Sequence, residues 1–393
     1  MKKEILSNTF YVGVNDRKTN LFESLWTLPM GVSYNSYIIN DQKTALIDTV
    51  ENDYSDLFLE KVEEVLGDKP LDYLVINHLE PDHSGSISKI TAKYPLVKII
   101  GNAKTIAMLQ SFYGNIADVF KIEDGGELNL GTHTIKFYLI PMVHWPETMA
   151  TYDTSTGAVF TADALGCFGA LNGGVTDNEL NTDPFFSEMR RYYSAIVGKY
   201  GAMVQKALQK LGTLDIKAVC PTHGPVWITE IEKVINFYDK LSKYESEKGV
   251  TIVYGSMYGH TAATAEKIAT AIATKGVKNI DIYDLARVDK SFALASVFKY
   301  NTLIAGSPAY NSEIFPPVRE FLAMIKERGV KNRYFASFGD YSWAKAAFKK
   351  FDEFAEELGF TNLQNSIYQK SNEPSDVSDQ KIDALANAVV ANL

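Results

Sequence analysis

The sequence predicts two domains of different class: an α+β first half, with two sheets covered by helices on the outside, and an α/β second half built as a doubly wound parallel sheet. Three observations carry this. Short β-rich runs dominate the first part, with helices only at intervals. Strand and helix then alternate regularly to the end of the chain. Between the two lies Ser242-Lys243-Tyr244-Glu245-Ser246-Glu247-Lys248-Gly249, a polar helix end and linker, so the expected domains are 1–247 and 248–393. A chain of 393 residues is ample for two cores.

In the first half, β-rich runs occur at Phe10–Val14, Tyr34–Ile39 and Thr44–Asp48. A helical pattern covers Asp56–Leu66, its acidic residues forming a solvated face. The strand Asp72–Asn77 follows, then helix Ser86–Tyr94, strand Val97–Ile100 and helix Lys104–Phe112. Strands return at Thr134–Pro141, Met149–Asp153 and Gly157–Ala162. Apolar residues at three- and four-residue spacing predict one long helix over Pro184–Leu211. Strand Lys217–Pro221 and helix Glu230–Tyr244 complete the half.

The second half reads as strand Val250–Tyr254, helix Thr261–Lys275, strands Asn279–Tyr283 and Tyr300–Gly306, helix Pro316–Arg328, strand Arg333–Ser337 and helix Ser342–Leu358. A weak strand near Ser366–Tyr368 and a helix from Asp376 follow.

Composition excludes several classes. Hydrophobic content of 46% and charged content of 22% are those of an ordinary globular protein. The net charge of −9 argues against broad nucleic-acid binding. The N-terminus has lysines but no apolar core, so no signal peptide is expected. No run of about 18 apolar residues predicts a membrane span. The two cysteines, Cys167 and Cys220, form no CxxC pair, which leaves a disulfide framework, a rubredoxin-type iron site and an iron–sulfur cluster unsupported; two buried thiols in a cytosolic protein are expected.

The chemistry concentrates in His78-Leu79-Glu80-Pro81-Asp82-His83, directly after a strand. Pro81 disfavours a helix here, and a tight loop can turn all four polar side chains toward one point. His144 follows the strand ending at Pro141, Asp163 the strand Gly157–Ala162, and His223 the strand ending at Pro221. Four strand ends therefore each deliver ligand-type residues. With the sheets side by side these ends share an edge, where four imidazoles, Glu80, Asp82 and Asp163 can converge. Seven ligands exceed what one tetrahedral ion takes, so two metals are implied, with a carboxylate suited to bridge them. His133 and His260 read as a surface residue and a loop residue.

In the second half, Gly255-Ser256-Met257-Tyr258-Gly259-His260-Thr261 joins the first strand to the first helix. Small residues and hydroxyls let backbone N–H groups surround a phosphate at a helix N-terminus. The patterns GxxxxGK[ST] and GxGxxG are absent, which disfavours ATP and NAD. Ser307-Pro308-Ala309-Tyr310-Asn311 follows the third strand, and Gly339-Asp340-Tyr341-Ser342-Trp343 the fourth, just beyond Ser337. Both place aromatics at the strand carboxyl ends, where doubly wound sheets bind flat ligands.

The HxExDH stretch followed by His, Asp and His resembles the metallo-β-lactamase fold, an αββα sandwich. Hydrolases of that fold carry histidine at the third position, where this chain has Glu80. A hard carboxylate there moves the site from zinc toward iron. With the flavodoxin-like loops, the chain resembles flavodiiron proteins over essentially its whole length, including Leu21-Phe22-Glu23-Ser24-Leu25-Trp26. The resemblance implies one iron on His78, Glu80 and His144, a second on Asp82, His83 and His223, and Asp163 bridging. It implies FMN, with Ser256, Met257, Tyr258, Gly259, His260 and Thr261 on the phosphate. Ser307 to Asn311, Ser337, and Gly339, Asp340, Tyr341 and Trp343 would flank the ring. His260 stands where asparagine is common and Asp340-Tyr341 where Tyr-Gly is usual, so a negative Asp340 near the flavin would disfavour its reduced anion.

The family resemblance further implies reduction of O2 to water, of NO to N2O, or of both, by a cytoplasmic oxidoreductase. Two ferrous ions and reduced FMN together hold the four electrons that O2 requires. Tyr192 and Tyr193 are hydroxyl donors for a bound oxygen, with Tyr193 the expected catalytic residue. The electron donor would be rubredoxin, or else a reduced deazaflavin or an NADH-linked reductase. A head-to-tail homodimer or a dimer of dimers is expected, with no nucleic-acid or membrane partner. Two other classes compete: a zinc hydrolase with an accessory flavodoxin-like domain, against which Glu80 counts, and a pure FMN electron carrier, against which the seven ligands count.

Overall fold

The computed structural model describes residues 2–114, 118–370 and 375–393. It comprises two compact units, Met1–Tyr192 with Tyr200–Ser242, and Tyr193–Lys199 with Lys243–Leu393.

The first unit contains two large sheets. One runs in the order Lys3–Leu6, Thr9–Tyr11, Tyr37–Asn40, Thr44–Ile47, Tyr73–Val75, Lys98–Gly101, Val119–Lys121; its last four strands are parallel. The other runs Glu127–Asn129, Thr134–Leu139, Met149–Asp153, Ala158–Phe160, Ala218–Cys220. In this second sheet Thr134–Leu139, Ala158–Phe160 and Ala218–Cys220 point the same way, so their C-terminal ends share an edge. That edge is stitched to the first sheet. Met149 N donates to Asn77 O at 3.0 Å, Thr151 Oγ1 to Asn77 Oδ1 at 2.7 Å and Tyr37 Oη to Pro221 O at 2.7 Å. Tyr37 and Phe160 rings meet at 5.2 Å. The apolar strand residues, Ile38, Leu46, Leu74, Ile99, Phe137 and Val159 among them, are buried as a two-sheet core requires. This is the sandwich expected.

The second unit is a parallel sheet in the order Ile280–Asp284, Glu247–Tyr254, Tyr300–Tyr310, Tyr334–Tyr341, Thr361–Asn362. Numbered by sequence this is 2-1-3-4-5, one of the two common doubly wound orders. Helices His260–Thr274 and Ser375–Ala391 cover one face, burying Ile268, Ile272, Leu385 and Val389 with Ile252 and Ile304 of the sheet.

Five details differ from expectation. Pro81–Ser84 forms one helical turn instead of an irregular loop, because proline at a first helical position has no N–H to lose. The helix expected over Pro184–Leu211 is broken into Asp183–Tyr192, a π turn Tyr193–Val197, a 3-10 turn and Gly201–Leu211. Its cause is capture by the second unit: Arg328 Nε and Nη2 donate to the carbonyls of Ser194 and Ala195 at 3.1 and 3.0 Å. Tyr244 Oη donates to Gly198 O at 3.0 Å, and a Cβ on Gly198 would lie 2.9 Å from the Phe298 ring. A helix Lys290–Lys299, capped by Asp289, lies where no helix was expected between the second and third strands. The third and fourth strands extend to Tyr310 and Tyr341, since Glu313–Ile314 and Ile367–Lys370 pair with their ends. The next helix begins at Lys349, not Ser342, which leaves Trp343 in an exposed bend. Among the described residues no helix is long and apolar enough to cross a membrane.

Candidate metal and flavin sites

The shared edge of the first unit carries the site. Chain reversals after the strands put each ligand there, and two of them need left-handed backbone, at Met142 (φ 65°) and Ala162 (φ 51°). Such conformations cost about 1 kcal/mol or more and persist only where the surroundings enforce them. Gly224, immediately after His223, has φ +78°, and a Cβ there would fall 2.3 Å from Cys167 Sγ.

The seven residues gather in two groups, His78, Glu80, His144 and Asp163, then Asp82, His83 and His223, with ligand atoms in each group within 4.8 Å of one another. Asp163 reaches both: Oδ2 lies 2.9 Å from His144 Nε2, and Oδ1 lies 2.9 Å from His83 Nε2. The other closures are His144 Nε2 to Glu80 Oε2 at 3.0 Å, and Asp82 Oδ2 to both His83 and His223 Nε2 at 3.2 Å. Asp82 Oδ1 and Oδ2 and His223 Nε2 are buried without a hydrogen-bond partner. No lysine or arginine among the described residues pairs with these carboxylates. Three carboxylates with buried oxygens and four imidazoles, their ligand atoms gathered in two groups that Asp163 joins, are a donor set that fits a pair of ions.

The imidazole tautomers are set from behind. His78 Nδ1 donates to Glu147 Oε1 at 2.8 Å and His223 Nδ1 to Ser33 O at 2.7 Å, which turns each Nε2 lone pair toward the ligand cluster. Thr222 Oγ1 donates to Asp163 Oδ1 at 2.5 Å, and Asp48 Oδ1 accepts from Asn77 N and His78 N at 2.7 and 3.2 Å. Burial alone would lower the His78 imidazolium, but Asp163, Glu147 and Glu80 raise it well above its ordinary value. Burial would raise Asp163, yet the histidines hold its carboxyl well below the usual range. Glu147 was not anticipated; its only trace in the sequence is its place three residues after His144. Glu147→Ala is expected to lower metal affinity about 10- to 100-fold, measured as iron retained per chain against a fixed chelator concentration.

A cavity of about 430 Å³ opens on Glu80 and Asp82, lined also by Phe22, Glu23 and Tyr34. Glu23 is tied to Trp26 Nε1 at 3.3 Å; burial, then the neighbouring Glu80, push its carboxyl up to about 7. On the inner side Tyr192 packs its ring 5.5 Å from His223, with its buried hydroxyl unpaired. Tyr193, expected as the catalytic hydroxyl, is not brought here. Neighbouring helical positions point about 100° apart, and its ring lies against Phe298 in the second unit, at 6.0 Å. His133, expected at the surface, is buried with Nδ1 2.8 Å from Asp153 Oδ2.

In the second unit, Ser256 Oγ accepts from Gly259 N and Ala262 N at 3.1 and 3.3 Å, and Gly259 has φ +94° ahead of the helix His260–Thr274. Among the described residues, no protein acceptor meets the N–H groups of Met257, Tyr258, His260 and Thr261. Such a loop fits a phosphate. Tyr258 and Trp343 are 86% and 92% exposed, available as ring-stacking surfaces, and Tyr310 is exposed too. Ser337, expected beside the flavin, lies inside the strand, its hydroxyl engaged by Ser366 and Tyr368. The exposed His260 opens the helix, and Met257 is partly exposed beside it.

Comparison with known proteins agrees with both halves. The sequence matches the ODP family beta lactamase family over residues 32–224 and the flavodoxin family over residues 252–383. Flavo-diiron protein FprA2 of Clostridium acetobutylicum is 30% identical over 352 residues, spanning 88% of each chain. The anaerobic nitric oxide reductase flavorubredoxin of Vibrio vulnificus is 28% identical, over 92% of this chain and 74% of that protein. Rubredoxin oxygen:oxidoreductase of Desulfovibrio gigas superposes with a TM-score of 0.94 at 26% identity, over 100% of this chain and 98% of that one. A metal-binding edge of this composition, a doubly wound partner unit and these relatives place the chain in the flavodiiron protein family, as an oxidoreductase whose cofactors are a diiron centre and FMN.

Proposed function

We propose that this protein reduces O2 to water, NO to N2O, or both, at the seven-residue cluster, drawing electrons through FMN from a separate donor such as rubredoxin. Residues 1–247 form the diiron domain and 248–393 the FMN domain in this reading, in a cytoplasmic head-to-tail homodimer. The observation that carries it is the ligand chemistry: Glu80 supplies an oxygen beside His78 and His144, and Asp163 touches both groups. Oxygen-rich, histidine-containing pairs suit non-haem iron, which polarises a small ligand and passes it electrons. Asp163 bridges the two positions. His78, Glu80 and His144 hold one, and Asp82, His83 and His223 the other. Ser256 to Thr261 hold the flavin phosphate, with Ser307 to Asn311 and Gly339 to Trp343 beside the ring. In this reading Tyr192, whose ring packs against His223 and whose buried hydroxyl has no partner, takes the proton-donor role expected of Tyr193.

The test is anaerobic single turnover. The fully reduced protein, with iron and FMN counted, is mixed separately with O2 and with NO. Two irons and one FMN per chain with fast reoxidation by either gas support the reading, and the faster gas names the substrate. Zinc in place of iron, or flavin oxidation that releases peroxide while the metals stay idle, overturns it.

A further inference from the structure

The loop that fits a phosphate has an anion of its own beside it. Thr261, the second residue of the helix His260–Thr274, is 1% exposed, and its Oγ1 donates to Asp340 Oδ1. Asp340 stands near the end of the fourth strand, in register with Pro308 on one side and Gln369 on the other. No lysine or arginine among the described residues pairs with it. A threonine hydroxyl has one proton to give, and a carboxylate takes it in a charge-assisted bond, the stronger kind. Ser256 differs: its oxygen accepts from Gly259 N and Ala262 N, which leaves its proton for another acceptor.

We infer that Asp340 sets the protein's hold on the phosphate end of FMN. Its carboxylate competes with the phosphate for the Thr261 proton and adds a like charge beside it, so FMN binds less tightly than a neutral residue at 340 would allow. Riboflavin, which lacks the phosphate, feels the change only through the ring and so responds less than FMN. Asp340 is thereby a positioning residue for the cofactor's anchor, in addition to any effect on the ring. The inference rests on Ser256 to Thr261 being the phosphate site.

The experiment is fluorescence titration of the full chain, stripped of flavin, with FMN and with riboflavin. Asp340→Ala is expected to tighten FMN about 10-fold, the scale of a hydrogen bond to a charged group, with riboflavin changed less than about twofold. Asp340→Asn keeps an acceptor for Thr261 but removes the charge, so it guards against a folding defect and is expected to give part of the gain. Thr261→Val removes the contested donor and is expected to cancel most of the gain in the Asp340→Ala background. Unchanged or weakened FMN binding in Asp340→Ala and Asp340→Asn, or equal shifts for FMN and riboflavin, overturns the inference while leaving the phosphate site standing. FMN binding no tighter than riboflavin in every form of the protein removes the phosphate site, and this inference with it.

Discussion

Asp163→Ala is expected to abolish turnover with either gas, by more than about 100-fold, and to leave fewer than two irons per chain. Its two oxygens reach different groups, His144 through Oδ2 and His83 through Oδ1, so both positions lose a ligand in one step. The surrounding fold is expected to persist, because among the described residues the Asp163 side chain bonds outside the cluster to Thr222 alone, and the strands on either side are paired independently. Metal analysis, circular dichroism and single turnover on one preparation separate these outcomes. An Asp163→Ala protein that keeps two irons and full turnover would contradict the bridging role.

Arg333→Ala is expected to destabilise the second unit by about 3–5 kcal/mol, a large part of the roughly 5–15 kcal/mol that holds a domain together. The guanidinium is 2% exposed and donates to Val297 O, Phe298 O, Tyr244 O and Lys331 O at 2.8, 3.1, 2.9 and 2.7 Å. Burial pushes its pKa down to about 10, so it remains a cation at neutral pH. Truncation strands those carbonyls in the interior, where each unsatisfied acceptor costs about 1–3 kcal/mol less what entering water returns. Urea unfolding of the full chain, followed by flavin release, gives the number. A shift below about 1 kcal/mol would show that water substitutes freely for the side chain.

The gathering of the seven residues was legible because each follows a strand, and strand ends converge wherever sheets share an edge. Glu80 was legible for its chemistry as well as its place. What sequence spacing missed depends on approaches between distant segments. Glu147 acts only because its loop turns back on His78, and Thr261 meets Asp340 from another strand end. Tyr192 and Tyr193 are neighbours of the same type, and the direction each takes from its helix, which their order in the chain does not show, decides which one meets His223. The break between them was invisible to a periodicity of three and four, which runs unbroken from Pro184 to Leu211. The helix Lys290–Lys299 was missed for a related reason: it is buried along much of its length and so lacks a clear polar face.

The capture of Tyr193–Lys199 has a consequence for how the chain is assembled. The carbonyls of Ser194 and Ala195 wait for Arg328, which lies more than 130 residues later in the chain. A ribosome adding about 5–20 residues each second leaves that turn without its arginine for several seconds after the segment itself has been made. The segment Tyr193–Lys199 is thus made early and completed late, when the rest of the unit it belongs to folds. Neither half is a module that one cut can free.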